Sequence, residues 1–261
     1  MSLAYVIRGS GPPVIFIQGA GIHGSGWDPQ VNSLASRFEC LTFDNRGIGG
    51  SVASSPKNTK IPLTVAQMAD DVVNLMDSAG WQSAHMVGHS MGGLVALEAS
   101  LQWPARVRSL SLLCTFSRGA DATRVSPSMV WTGIRMHVGT RAARRRAFLE
   151  FMMPPGVIAD PVEIGAIAGH DLADQPAIVM DQLAAIRKHD VTARLRELAS
   201  IPTLVVSAAR DRIARAASGR VIAAGIPGAR YVEFADAGHG LTIQKADEVN
   251  GLLAEHFNSV R

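Results

Sequence analysis

Apolar positions along the chain follow two spacings that take turns. Residues 3–8, 14–17, Glu39–Phe43, 85–88 and Val107–Leu113 are runs of strand length, and 14–17 is apolar throughout, as in a strand covered on both faces. Residues 29–37, 64–79 and Met91–Gln102 instead read as helices, and the second places Val65, Met68, Val72, Leu75 and Ala79 on one stripe, the period of a helix with one buried face. Thr64-Val65-Ala66-Gln67 reads as a capping box, and Gly80 stands where such a helix is commonly ended. This alternation predicts an α/β fold, a mostly parallel sheet with helices on both faces.

From residue 117 the pattern is helical only, with Met129, Met136, Met152, Met153 and Met180 among its apolar positions. Strand-like runs return at 201–207 and Arg230–Phe234, followed by helical stretches at 214–224 and 241–257. Residues 117–185 are therefore expected to be a helical insertion into one domain built from residues 1–116 and 186–261.

A chain of 261 residues, 47% hydrophobic and 18% charged, suits a well-cored α/β domain and excludes disordered and fibrous classes. The net charge of +3 is scattered apart from Arg141-Ala142-Ala143-Arg144-Arg145-Arg146, so no nucleic-acid partner is expected. That cluster reads first as a solvated helix face and second as a docking point for an acidic partner or carboxylate. The first eight residues lack a basic leader followed by a long apolar segment, and no run reaches about 18 apolar residues, so a cytoplasmic protein without membrane attachment is expected. Cys40 and Cys114 lie inside apolar runs and read as buried structural thiols.

Three stretches at strand ends carry candidate chemistry. In Gly88-His89-Ser90-Met91-Gly92 a serine stands between a strand and a helix with glycine two residues to either side, an arrangement that presents its Oγ at the carboxyl end of a sheet. Gln18-Gly19-Ala20-Gly21-Ile22-His23-Gly24-Ser25-Gly26 is a flexible connection or a backbone cradle. Asp44-Asn45-Arg46-Gly47-Ile48-Gly49-Gly50-Ser51 is followed by a polar stretch at 54–62 and not by a helix, which excludes a nucleotide-binding glycine loop.

Together with Ile201-Pro202-Thr203-Leu204-Val205-Val206-Ser207-Ala208-Ala209-Arg210-Asp211 and Gly238-His239-Gly240, these stretches stand in the order used by the α/β-hydrolase superfamily, which the chain resembles over nearly its whole length. The resemblance implies Ser90 as nucleophile, His239 as its base and Asp211 as the acid that orients it, in the chain order Ser, Asp, His. It also implies backbone N–H groups of Ala20 and Met91 as donors to a developing oxyanion. The chain departs from most relatives in having Gln18 where histidine is usual, and in lacking most of the family's first strand. In the family's sheet two strands separate those carrying Cys40 and Cys114, about 14 Å at ~4.8 Å per strand, whereas a disulfide spans roughly 7 Å, so no bridge is expected.

In this superfamily the insertion forms a cap over the site. Gly21, His23, Trp27, Trp131 and Met136 are the candidate substrate-binding residues, and the insertion's methionines are expected mainly as core, with a minority on an adaptable apolar wall. His89 is expected to pack within the elbow, and His137, His170, His189 and His256 to serve helical or linking stretches. The function expected is that of a serine esterase or lactonase. It would cleave a moderately apolar, small-molecule carboxylic ester or lactone through an acyl-enzyme on Ser90, with no metal or organic cofactor. Trp27-Asp28-Pro29-Gln30 and the turn at 44–51 look like those of enol-lactone hydrolases. Carbon–carbon bond hydrolases and cofactor-free haloperoxidases or perhydrolases share the triad and stand as alternatives, as does a non-catalytic ligand-binding member of the fold. Serine at position 90 disfavours dehalogenases and epoxide hydrolases, whose nucleophile is aspartate.

Overall fold

The computed structural model describes residues 3–54, 62–122, 127–157 and 159–260; most of the polar stretch expected at 54–62 lies outside them. Strands β1 (Tyr5–Arg8), β2 (Pro13–Ile17), β3 (Glu39–Phe43), β4 (Ala84–His89), β5 (Val107–Leu113), β6 (Thr203–Ala208) and β7 (Arg230–Phe234) form one sheet. Its order is β1-β3-β2-β4-β5-β6-β7, and every pairing is parallel except β1 with β3.

Helices α1 (Asp28–Leu34), α2 (Val65–Ser78) and α3 (Met91–Gln102) precede β5, while α4 (Pro127–His137), α5 (Arg141–Met152), α6 (Pro161–Ala168) and α7 (Val179–Arg187) lie between β5 and β6. Helices α8 (Ala216–Gly225) and α9 (Ala246–Asn258) complete the chain. The side-chain period of two explains why β2 is apolar throughout. Ile15 and Ile17 enter the core that includes Val72 of α2 and Leu94 of α3, whereas Val14 and Phe16 enter the opposite core with Val31 of α1 and Leu253 of α9. Each such fully buried side chain contributes about 1.5–3 kcal/mol of transfer free energy.

Half of the predicted capping box forms: Thr64 Oγ1 accepts from the Gln67 N–H at 3.0 Å, while among the described residues the Gln67 side chain makes no bond back to the Thr64 N–H. Two expected boundaries move by three residues or more. Helix α1 ends at Leu34 instead of residue 37, where the N–H groups of Arg37 and Phe38 both turn back to the Leu34 carbonyl. The helix expected at 241–257 is broken at Lys245 (φ −127°, ψ 41°), leaving the short turn Leu241–Gln244 ahead of α9. Lys245 is drawn to Asp236 at 2.9 Å, and Gln244 Oε1 accepts from the Gly238 N–H at 3.0 Å, so contacts with the loop before it take precedence over helical continuity.

Cys40 on β3 and Cys114 just after β5 have β2 and β4 between them, and both are free and buried. Burial pushes the Cys40 thiol up to about 12; burial and the nearby Asp211 carboxylate raise that of Cys114. Among the described residues no helix is long and apolar enough to cross a membrane.

The chain leaves β2 to one side to build β3 and returns to the other side to build β4. Where strand order reverses in this way, connections diverge over opposite faces and a crevice opens at the strands' carboxyl ends. Both the glycine-rich segment after β2 and Ser90 after β4 stand at that crevice.

Candidate active site

Ser90 joins β4 to α3 with φ 54° and ψ −121°, one of two non-glycine residues with positive φ among those described. Such a conformation costs about 1–3 kcal/mol and persists only where its surroundings enforce it. Here the Ser90 N–H donates to the Leu113 carbonyl at 3.0 Å, and the Ser90 carbonyl accepts from Thr115 Oγ1 at 2.6 Å and from the Gly93 N–H at 3.0 Å. The flanking glycines serve close approach. A Cβ on Gly88 would lie 2.3 Å from the Gly92 carbonyl oxygen, and one on Gly92 would lie 2.0 Å from that of Ile17.

His239 and Asp211 come to the same place from the loops after β7 and β6. Asp211 Oδ2 lies 2.7 Å from His239 Nδ1, while its Oδ1 accepts the N–H groups of Ile213 at 2.7 Å and Ala214 at 2.9 Å. Both side chains are buried. Because the carboxylate accepts, His239 carries its proton on Nδ1 and leaves Nε2 as an acceptor. The Gly240 N–H donates to the Met152 carbonyl at 2.8 Å, which ties the histidine loop to the end of α5.

His89, predicted to pack in the elbow, donates from Nε2 to the His239 carbonyl at 2.9 Å, and the two ring centroids are 4.8 Å apart. Burial lowers its pKa to about 3, and that of His85, bonded to Ser109 Oγ at 2.7 Å, to about 4, both from 6.5. Below about pH 6.5 the unfolded chain therefore takes up protons that these folded imidazoles refuse, so stability present above that pH is lost as it falls towards 4 and 3. Urea unfolding is expected to show a lower midpoint at about pH 5 than at about pH 7, with a shallower dependence in His85→Gln. An unchanged slope in that variant would remove His85 from the account.

Ser90, His89, His239, Gly19 and Ala20 line a cavity of about 510 Å³. Its walls are apolar: Phe116 after β5, Met136 on α4, Phe148 and Phe151 on α5, and Leu183 and Ile186 on α7. Met129, Met152 and Met180 line it as well, so most of the insertion's methionines face the cavity where a minority was expected; Met153 instead packs against Gly240.

Of the candidate substrate-binding residues, Met136 alone is on this wall. Trp27 lies in the core, its ring 5.2 Å from Phe16 and edge-on to His89 at 6.4 Å, because its side chain follows the short helical turn beneath the sheet. Trp131 is 62% exposed on the outer face of α4. His23 packs over Gly169 and stands 3.8 Å from Asp44, which in turn accepts the N–H groups of Gly24 and Gly50. Gly21 contributes a backbone N–H to Gln182 Oε1 at 2.9 Å. No local signal marked Gln182, Phe148 or Phe151, since only tertiary contact brings them to the site.

The N–H of Ala20 and that of Met91 have no backbone acceptor among the described residues. On α5, Arg141 and Arg145 pair with Asp171, Arg141 also with Asp174, and Arg146 with Glu150, so much of the basic cluster is neutralised within the chain. No group of three His, Cys, Asp or Glu side chains among the described residues is arranged to hold a metal ion.

A family model for the alpha/beta hydrolase fold matches residues 12–246. The chain belongs to this family. Among its relatives, a protein of Azorhizobium caulinodans that carries the name carbamate hydrolase RutD is 29% identical over 256 residues, 96% of this chain and 93% of its own. One of Mycobacterium tuberculosis named as the non-heme bromoperoxidase BpoC is 30% identical over 271 residues, covering 100% of this chain and 99% of its own. The solved enol-lactonase from Burkholderia xenovorans LB400 superposes with a TM-score of 0.81 at 28% identity, over 98% of this chain and 96% of that one. Proteins named for several different reactions thus share this fold, and the site must decide among them.

Proposed function

We propose that the protein is a serine hydrolase that cleaves an apolar carboxylic ester or lactone through an acyl-enzyme on Ser90. The observation that carries this reading is the 2.7 Å contact between His239 Nδ1 and Asp211 at a cavity that Ser90 and His239 share. A serine hydroxyl is a weak nucleophile at neutral pH and needs a base whose tautomer is held by a third group. Asp211 would hold the Nδ1 proton and stabilise the imidazolium, so that His239 Nε2 takes the Ser90 proton as Oγ attacks the carbonyl. The tetrahedral oxyanion would be met by the free N–H groups of Ala20 and Met91, a preorganised pair worth about 3 kcal/mol per donor. His239 would then protonate the departing alcohol and activate the water that releases the acid.

In this reading residues 117–185 act as a cap on a core of residues 1–116 and 186–261, and the aromatic and methionine walls accept an apolar acyl group. The enol-lactonase likeness favours a lactone among the possible esters. The test is a panel of p-nitrophenyl esters, lactones and vinylogous diketones, with a fluorophosphonate probe for the nucleophile. Turnover of esters or lactones with probe attached at Ser90 is expected. Turnover confined to the diketones would transfer the site to carbon–carbon hydrolysis, and an unlabelled Ser90 with no turnover would leave a binding protein.

A further inference from the structure

We propose that Gln182 is a positioning residue that aims the Ala20 N–H, acting from helix α7 on the segment after β2. This inference rests on the reading of Ala20 as an oxyanion donor. Gln182 is fully buried, and its Oε1 accepts the Gly21 N–H at 2.9 Å across 161 residues of sequence. Its Nε2 is buried as well and has no hydrogen-bond partner among the described residues. An unsatisfied buried donor works against stability, so a residue that carries one calls for an explanation other than packing. What Gln182 supplies is a single acceptor, aimed at one amide.

The other side of Ala20 is held in the same way. Gln18 Oε1 accepts the Gly19 N–H at 2.8 Å. The amides before and after Ala20 are thus each bound by a glutamine carbonyl, while the Ala20 N–H between them has no backbone acceptor among the described residues. The segment needs such holding because glycines at 19 and 21 leave its backbone free to rotate. Gly21 sits at φ +77° with Val179 of α7 so close that a Cβ would meet its Cγ2 at 2.8 Å, so a stiffer residue cannot replace it. Downstream, the His23 N–H donates to the Ala168 carbonyl at 3.1 Å and Ser25 Oγ to that of Ile167 at 2.9 Å, which fastens the same segment to the end of α6. The helices between β5 and β6 therefore do more than wall the cavity: they carry one half of the hydrogen bonding that sets a donor's direction.

Gln182→Met keeps the volume and removes both the acceptor and the unsatisfied donor. Misdirecting one preorganised donor is expected to lower kcat by about 30-fold. KM and acyl-chain preference are expected to stay as in the parent, because Gln182 does not line the cavity. The melting temperature should move little, because the variant exchanges one unpartnered buried donor, Gln182 Nε2, for another, the Gly21 N–H, and amide exchange at Gly21 should quicken at least about tenfold as its hydrogen bond is lost. Gln182→Glu retains an acceptor of the same reach, so Gly21 protection should return and kcat should exceed that of Gln182→Met.

Parental kcat in Gln182→Met, equal kcat in the two variants, or a loss shared between kcat, KM and melting temperature would each overturn the proposal. Turnover that survives in Ser90→Ala would instead overturn the functional reading, and the Gly21 exchange measurement reports on the backbone whichever reading of Ser90 holds.

Discussion

Ser90→Ala is expected to lower kcat on a short neutral p-nitrophenyl ester by about a millionfold and to abolish labelling by a fluorophosphonate. The loss should be that large because the other groups have nothing to act on: His239 Nε2 loses the proton it accepts, and the Ala20 and Met91 amides lose the tetrahedral adduct they would stabilise. The fold should survive. Alanine occupies the same positive φ as serine at the same cost, and the bonds that hold position 90, from Thr115 Oγ1, Gly93 N–H and to the Leu113 carbonyl, all involve its backbone. Steady-state kinetics beside a melting curve checks both halves. Residual turnover within about tenfold of the parent, in a folded variant, would show that another group attacks the substrate.

Asp211→Asn should cost about ten-thousandfold in kcat at neutral pH. Asparagine can keep its carbonyl oxygen towards the Ile213 and Ala214 N–H groups, which Asp211 Oδ1 accepts at 2.7 and 2.9 Å. Its amide would then face His239 Nδ1 where the carboxylate now stands at 2.7 Å. A donor there forces the opposite tautomer, with the proton on Nε2, and the histidine can no longer take a proton from Ser90. Substrate affinity and melting temperature should move little, since the loop geometry is preserved. If kcat in Asp211→Asn stays within about a hundredfold of the parent, the carboxylate is a structural loop ligand and the base is oriented by something else.

Several features that these predictions depend on are legible along the chain because they are local. The turn at Ser90 needs small residues two positions to either side, and Gly88 and Gly92 are there; Thr64 Oγ1 caps the Gln67 N–H within one helical turn. Strand Glu39–Phe43 and helix Met91–Gln102 keep the bounds read from the chain, the helix ending ahead of Pro104. The helix expected at 241–257 is broken because Lys245 and Gln244 find partners in the preceding loop that the helical period does not reveal. Trp27 and Trp131 could not be told apart as wall candidates, since a tryptophan in a loop and one on a helix carry the same side chain. Packing sends one beneath the sheet and leaves the other on the surface.

The amino-acid sequence by itself determined the α/β architecture, the strained turn that presents Ser90, and the order in which Asp211 and His239 follow it. These depend on periodicity, glycine placement and chain order, which act over a few residues or survive as position along the chain. Tertiary structure decided which side chains wall the cavity, that Arg141, Arg145 and Arg146 are paired within the chain, and that Gln182 reaches Gly21 from 161 residues away. A hydrogen bond or a packed wall depends on distance in space, and a lone glutamine or phenylalanine on a helix carries no mark of the neighbour that folding brings to it.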